Sequence, residues 1–416
     1  MRFLYTVLFY IALPFVFLRL LWRSRRIPGY RKQWGERLGY CPHHIEDCIW
    51  IHVVSVGETI AASPLIKAVI KEFPYYPVLL TNMTPTGAAR VKAIFGDSAR
   101  QAFIPYDLPD AVSRFLTRVK PKIAIVFETE LWPNLFAACR EKNIPLLVMN
   151  ARLSEKSRRG YAAISGITRE MFKAVGHLAA QSSKDAERFM DLGFPIEKVS
   201  VTGNIKFDLE VPQVNAEQFR EELGVTRKIW IAASTHPGED EIVLRAHQLI
   251  KEKYPQSLLI LAPRHPDRCQ SIASLIEAQG MSYVVRSKQE RCSENTDVYM
   301  ADTLGELLFM YSVSDVAFVG GSFVSVGGHN MLEPAVLRKP VLTGPTLFNF
   351  SEVSQLLLSA QGMHVVNNAG ELAEHVLRFF ADDEYRKRTG DNAYHVVRSN
   401  RGALQKQFEI IRNLIQ

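Results

Sequence analysis

From Ile49 onward the sequence alternates short apolar runs with amphipathic stretches, and that alternation leaves few folds open. Candidate strands lie at Ile49–Val54, Pro77–Thr81, Gln101–Ile104, Lys122–Phe127, Pro145–Met149, His177–Ala180 and Val199–Thr202. Helical patterns fall between most of them; Pro64–Phe73, for example, sets Leu65, Val69 and Ile70 on one face. Alternating β and α segments predict a parallel sheet with helices on both sides. The pattern breaks at Phe207–Phe219, where D-L-E-V-P-Q-V-N-A-E is polar and Pro-interrupted. It restarts with runs at Ile229–Ala233, Ser257–Ala262, Tyr283–Val285, Asp297–Met300, Val316–Gly320, Val341–Thr343 and His364–Val366. After Glu371 only helical patterns remain.

A chain of 416 residues is also too long for one ordinary core. The expected architecture is therefore two Rossmann-like α/β domains facing a cleft, with ligands held outside the carboxyl ends of the strands. The expected divisions are an anchor helix at 1–22, an N-terminal domain at 23–210, a C-terminal domain at 211–395 and a last helix at 396–416 that packs back on the first domain.

The N-terminus adds a membrane signal. Phe3 to Leu18 is 16 residues without a charge, and Arg19 can snorkel, letting Leu20 to Trp22 extend the run. This is a little short of the roughly 20 residues of a bilayer span, and no small-x-small cleavage site follows. A short transmembrane anchor and a helix dipped into one leaflet both fit. Between Arg19 and Tyr40 seven basic residues face one acid, Glu36, which places this segment on the cytoplasmic side against anionic headgroups rather than on nucleic acid. Five scattered cysteines without a C-x-x-C pair argue for reduced thiols and against a zinc site.

Chemistry-bearing motifs gather at strand ends. In V-A-F-V-G-G-S-F-V-S-V-G-G-H-N-M-L-E-P-A (Val316–Ala335) a strand ends at Gly320-Gly321, and Gly327-Gly328 is expected to open a helix at His329-Asn330. Free N–H groups there suit a phosphate, with Glu333 on the first turn near a sugar hydroxyl. Neither G-x-G-x-x-G nor a P-loop occurs, which removes dinucleotide oxidoreductases and P-loop enzymes. Arg264 follows a strand and is suited to pair with a phosphate or carboxylate; Gly305-Glu306 marks another strand-to-helix junction. In the first half, Glu128 and Glu130 follow a buried strand, Arg152 follows the next, and Lys206 sits near the break. Glu58, in S-V-G-E, stands at the mouth of the first βα turn, where a helix dipole alone explains a carboxylate and keeps it ionised.

Taken in order, S-V-G-E, M-T-P-T-G, F-E-T-E-L-W-P-N, N-A-R-L-S, G-N-I-K-F-D, P-R-H-P-D and G-G-H-N-M-L-E-P-A make the chain resemble the bacterial Kdo transferases over essentially its whole length. These attach 3-deoxy-D-manno-octulosonic acid (Kdo) to the lipid A precursor in lipopolysaccharide biosynthesis at the inner membrane. The resemblance implies a GT-B fold, CMP-Kdo as donor, lipid IVA as acceptor, and neither metal nor cofactor; a single in-line displacement, with inversion at the sugar, is the expected step. It makes Glu58 the general base. It assigns CMP to Pro263, Arg264, Leu304, Gly305, Glu306, Asn330, Met331, Leu332 and Glu333, and leaves Glu128, Glu130, Arg152 and Lys206 as cleft or acceptor candidates. Two rival readings remain beside it: a GT-B enzyme using another nucleotide sugar, and a non-catalytic membrane-tethered nucleotide-binding regulator.

Overall fold

The computed structural model describes residues 1–25, 27–209 and 216–415. Arg26 of the basic segment and the middle of the polar break, including the 210–211 boundary, lie outside them. The chain forms two compact units, Met1–Asp208 with Arg401–Gln416, and Leu209–Asn400.

The first unit holds a seven-stranded sheet in the order β3-β2-β1-β4-β5-β6-β7, every neighbouring pair parallel. Its strands are β1 (Cys48–His52), β2 (Val78–Asn82), β3 (Arg100–Phe103), β4 (Pro121–Phe127), β5 (Leu146–Ala151), β6 (Val175–Ala180) and β7 (Val199–Val201). The second unit repeats the plan in the order β10-β11-β9-β8-β12-β13-β14. There β8 is Ile229–Thr235, β9 Leu258–Pro263, β10 Tyr283–Val285, β11 Val298–Met300, β12 Val316–Val319, β13 Val341–Thr343 and β14 Met363–Val365. Each apolar run read from the sequence is a strand, its ends moved by at most two residues. Both faces of each sheet are covered, so alternate residues enter two cores. Trp50, Ala124 and Val126 pack on one side of the first sheet, and Ile49, Ile51, Ile123 and Ile125 on the other. This double burial is why the strands read as unbroken apolar runs.

The helix expected at Pro64–Phe73 spans Val56–Glu72 instead, with Pro64 in its interior. Ser55 caps it by accepting the Glu58 N–H. Pro64 has no N–H to give to the Ile60 carbonyl, and the Ser63 hydroxyl takes that acceptor at 2.8 Å. The last helix, Ala403–Ile415, packs on Val56–Glu72 within the first unit, burying Ile411 and Ile415.

The apolar N-terminal helix runs from Arg2 to Arg23 and is long and apolar enough to cross a membrane. One of its faces is docked on the first unit. Phe9, Leu13, Val16, Phe17 and Leu20 pack with Tyr30, Trp34, Tyr106 and Leu108. Thr6 bonds Asn134 at 3.2 Å, and the Tyr10 hydroxyl donates to Asp110 at 2.5 Å. The opposite face exposes Phe3, Leu4, Leu8, Ile11, Phe15, Leu18 and Trp22.

Candidate active site

In the first unit the candidate residues sit where strands end. Ser55-Val56-Gly57-Glu58 forms a capping box: Ser55 Oγ accepts the Glu58 N–H, and the Glu58 side chain reaches back. Its Oε2 accepts the Val54 N–H at 2.8 Å and its Oε1 the Ser55 hydroxyl at 3.0 Å. The carboxyl group has two donors and room for more. Burial first, and the charge of Glu128 second, push its pKa up to about 7 against the pull of those two bonds. The expectation that the carboxylate at this helix N-terminus has a lowered pKa and stays ionised is thus corrected: desolvation and a like charge outweigh the two hydrogen bonds that favour the charged form.

Glu128 follows β4 in a left-handed conformation, φ 58°, a strained choice for a non-glycine residue and one that concentrates at functional sites. Its carboxylate faces the Lys206 ammonium at 3.5 Å. The register of β5 against β6 shifts between Val148 and Ala151, around Asn150 at φ 51°. Asn150 Oδ1 accepts the Ile205 N–H at 3.1 Å, and Asn204 Oδ1 the Lys206 N–H at 3.1 Å, which fixes the turn carrying Lys206. Glu130 accepts from the Trp132 indole at 3.1 Å, and burial lifts its pKa to about 7. Arg152 is tied in through its carbonyl, which accepts the Thr129 hydroxyl. Glu58, Glu128, Glu130 and Lys206, 148 residues apart in sequence at the extremes, are therefore one electrostatic cluster.

In the second unit two expectations need correction. The helix read at His329-Asn330 begins at Leu332 and lasts five residues, Leu332–Val336. Gly327 and Gly328 at φ 101° and 79° cannot enter an α-helix, and Asn330 Oδ1 accepts the Leu332 N–H at 3.2 Å from outside it. Nor are the N–H groups of Gly321, Ser322 and Phe323, in the turn after β12, free for a phosphate. The fully buried Glu239 takes them: Oε2 accepts from Gly321 at 2.7 Å and His236 at 2.9 Å, Oε1 from Ser322 at 3.0 Å and Phe323 at 2.9 Å.

Beside that turn, His236 Nε2 and His329 Nε2 share a hydrogen bond of 2.8 Å, their ring planes 5° apart. His265 stands edge-on to His236 at 5.8 Å. Gly321 is obligatory here, because a Cβ would lie 2.7 Å from the His329 ring and φ is +70°. Burial, then the charge of Arg264, brings the His329 pKa down to about 3. Pro263 ends β9 and Arg264 follows it, exposed, its N–H donating to the Thr235 carbonyl. Asn330 Nδ2 donates to Glu333 Oε1 at 3.1 Å, and burial raises the Glu333 pKa. Met331 and Leu332 are wholly buried core residues. Leu304 and Gly305 are exposed, whereas Glu306 is paired with Arg286 at 2.9 Å.

The sequence reading passed over Glu239, His236 and Arg268. Arg268 pairs with the buried Asp240 and donates to the Thr235 carbonyl at 3.0 Å. The available signal was S-T-H-P-G-E-D (Ser234–Asp240), a polar run at the end of a fully buried strand.

Comparison with known proteins follows the two units. Residues 32–209 match the model of the 3-deoxy-D-manno-octulosonic-acid transferase (kdotransferase) family, and residues 226–396 that of glycosyl transferases group 1. The chain is 41% identical over 424 residues to the 3-deoxy-D-manno-octulosonic acid transferase of Haemophilus influenzae, covering 100% of this chain and 99% of that protein. The Bordetella pertussis protein of the same description is 32% identical over 418 residues, covering 96% of each. A crystal structure of UDP-GlcNAc 2-epimerase from Neisseria meningitidis, bound to UDP-GlcNAc, is 16% identical with a TM-score of 0.58, over 88% of this chain and 99% of that one. That likeness is one of fold.

Proposed function

The chain belongs to the 3-deoxy-D-manno-octulosonic acid (Kdo) transferases and is a glycosyltransferase of GT-B class, and from that premise we propose that it moves Kdo from CMP-Kdo to the lipid A precursor with inversion and without a metal. The observation that carries the proposal is Glu58, a half-satisfied carboxylate lifted to about pKa 7 beside Glu128. A sugar hydroxyl is a poor nucleophile near neutral pH, and a base of matched pKa best removes its proton. In the proposed step Glu58 takes the proton of the acceptor hydroxyl as its oxygen bonds the anomeric carbon of Kdo. The bond from that carbon to the CMP phosphate oxygen breaks, and its electron pair leaves with CMP.

On the donor side, Arg264, at the carboxyl end of β9 and next to the His236, His265 and His329 group, is the proposed partner of the departing phosphate. The exposed Leu304 and Gly305 are the proposed edge of the nucleotide subsite, with Pro263, Asn330 and Glu333 beside it. Glu306, held by Arg286, and the buried Met331 and Leu332 support that edge from behind. Glu130, Arg152 and Lys206 line the proposed acceptor side. The N-terminal helix would lie in one leaflet at the cytoplasmic face of the inner membrane. Its docked face uses Asn134 and Asp110, polar partners that a perpendicular span would drag into hydrocarbon, while its free face is apolar and its exit basic.

Purified full-length chain given CMP-Kdo and tetraacyl lipid A precursor is expected to yield Kdo-bearing product by mass spectrometry, at a rate insensitive to chelator. Turnover only with a UDP-sugar, or none with any donor, sinks the proposal.

A further inference from the structure

We infer that Glu239 is a positioning residue of the donor site, an internal anion that fills the N–H nest of the Gly321–Phe323 turn and leaves the donor phosphate to side-chain donors. Four backbone N–H groups converge on one carboxylate, two on each oxygen, at 2.7 to 3.0 Å. All four partners are donors, so the group acts as an acceptor alone. Successive N–H groups turned to one point form the concavity that binds phosphates in glycine-rich turns. In this chain the anion is covalently supplied, from the turn after β8, 82 residues before Gly321 in sequence. A phosphate brought to the same turn would meet no free donor there and a like charge beneath.

The same carboxylate fixes both sides of the histidine pair. It holds the His236 N–H directly, and it holds Gly321, against which the His329 ring packs. The Nε2–Nε2 contact of 2.8 Å therefore depends on two loops that Glu239 clamps together. A side chain buried completely beneath the turn can touch no ligand, so its influence on the donor passes through His236, His329 and the turn. The inference rests on the reading that the second unit takes CMP-Kdo.

Hydrogen exchange in the wild-type chain, with CMP as the probe, tests it first. The amides of Gly321, Ser322 and Phe323 are expected to be protected without ligand and unchanged when CMP binds. Unprotected amides that CMP then protects overturn the inference. Glu239→Ala is expected to weaken CMP binding at least about tenfold while the acceptor KM stays within about twofold, and formate is expected to refill the nest and restore affinity. Glu239→Gln fills the space with an amide whose N–H₂ opposes the turn, so it loses affinity without rescue by formate, and it serves if the alanine variant does not fold. CMP affinity unchanged in both variants, or acceptor KM rising in step, also overturns it. Failure of the donor reading looks different: wild-type chain that does not bind CMP although its three amides are protected.

Discussion

Glu58 and Glu239 occupy the same place in two repeats of one architecture, and they have become opposite things. β1 lies between β2 and β4 in its sheet, as β8 lies between β9 and β12 in the other. Each strand is followed by a turn with a glutamate at the start of the next helix, Val56–Glu72 and Asp240–Lys253. Glu58 receives one N–H and one hydroxyl, stays partly exposed, and has a like charge for a neighbour. Glu239 receives four N–H groups and is closed off from water. A carboxylate with spare lone pairs and a raised pKa can take a proton. One saturated by backbone donors can only hold the backbone in place. The difference teaches that a glutamate at a βα mouth acquires its role from the number of donors that meet it.

Breaking that contrast takes two substitutions. Glu58→Gln is expected to cost about 10²- to 10⁴-fold in kcat and to leave thermal unfolding nearly unchanged, since the amide can still serve the capping box. Glu239→Leu is expected to do its first damage to stability. It strands four N–H groups, two buried and two partly buried, and a buried one left unpaired costs about 1–3 kcal/mol, so a loss of several kcal/mol should appear as a large fall in Tm. If Glu58→Gln unfolds the protein as readily as Glu239→Leu, the two glutamates do not differ as argued.

The strands were legible because burial on both faces writes itself as unbroken apolar sequence, and the turns at their ends could then be placed on one edge of each sheet. That suffices to bring Glu58, Glu128, Glu130 and Lys206 into one neighbourhood. The nest around Glu239 left no trace, because three of its four partners are backbone groups 82 to 84 residues away and backbone carries no sequence signature. The start of the helix at Leu332 was misread for a related reason: two glycines at positive φ carry the chain past His329 before it can coil. The docked face of the N-terminal helix was hidden too, since apolar residues facing lipid and facing Tyr106 look alike in sequence.

The contrast sharpens further in its pH dependence. Glu58 binds its proton more tightly folded, about 7, than at its ordinary 4.5. Between these values the folded state holds more protons, so this group's contribution to stability falls as pH rises from 4.5 toward 7. Activity should run the other way, with kcat/KM rising as the base form appears through about pH 7. Glu128→Gln removes the like charge that raises Glu58 and should move this limb to lower pH, a shift read directly from the kcat/KM profile. A limb that stays in place would detach it from Glu58.

Ser55→Ala should produce the smallest effect and the opposite sign. The serine does two jobs at this turn: its oxygen caps the helix through the Glu58 N–H, and its hydroxyl donates to Oε1 of the Glu58 carboxylate. Losing the cap should cost about 1 kcal/mol of stability. Losing the donor removes one of the two bonds that hold Glu58 toward its charged form, so its pKa should climb and the acid limb of kcat/KM should move to higher pH. Paired with Glu128→Gln, the variant brackets Glu58 from both sides, since one neighbour raises its pKa and the other lowers it. A limb that stayed in place in Ser55→Ala would mean that the titrating group is Glu130, which the serine hydroxyl does not touch and whose pKa also stands near 7.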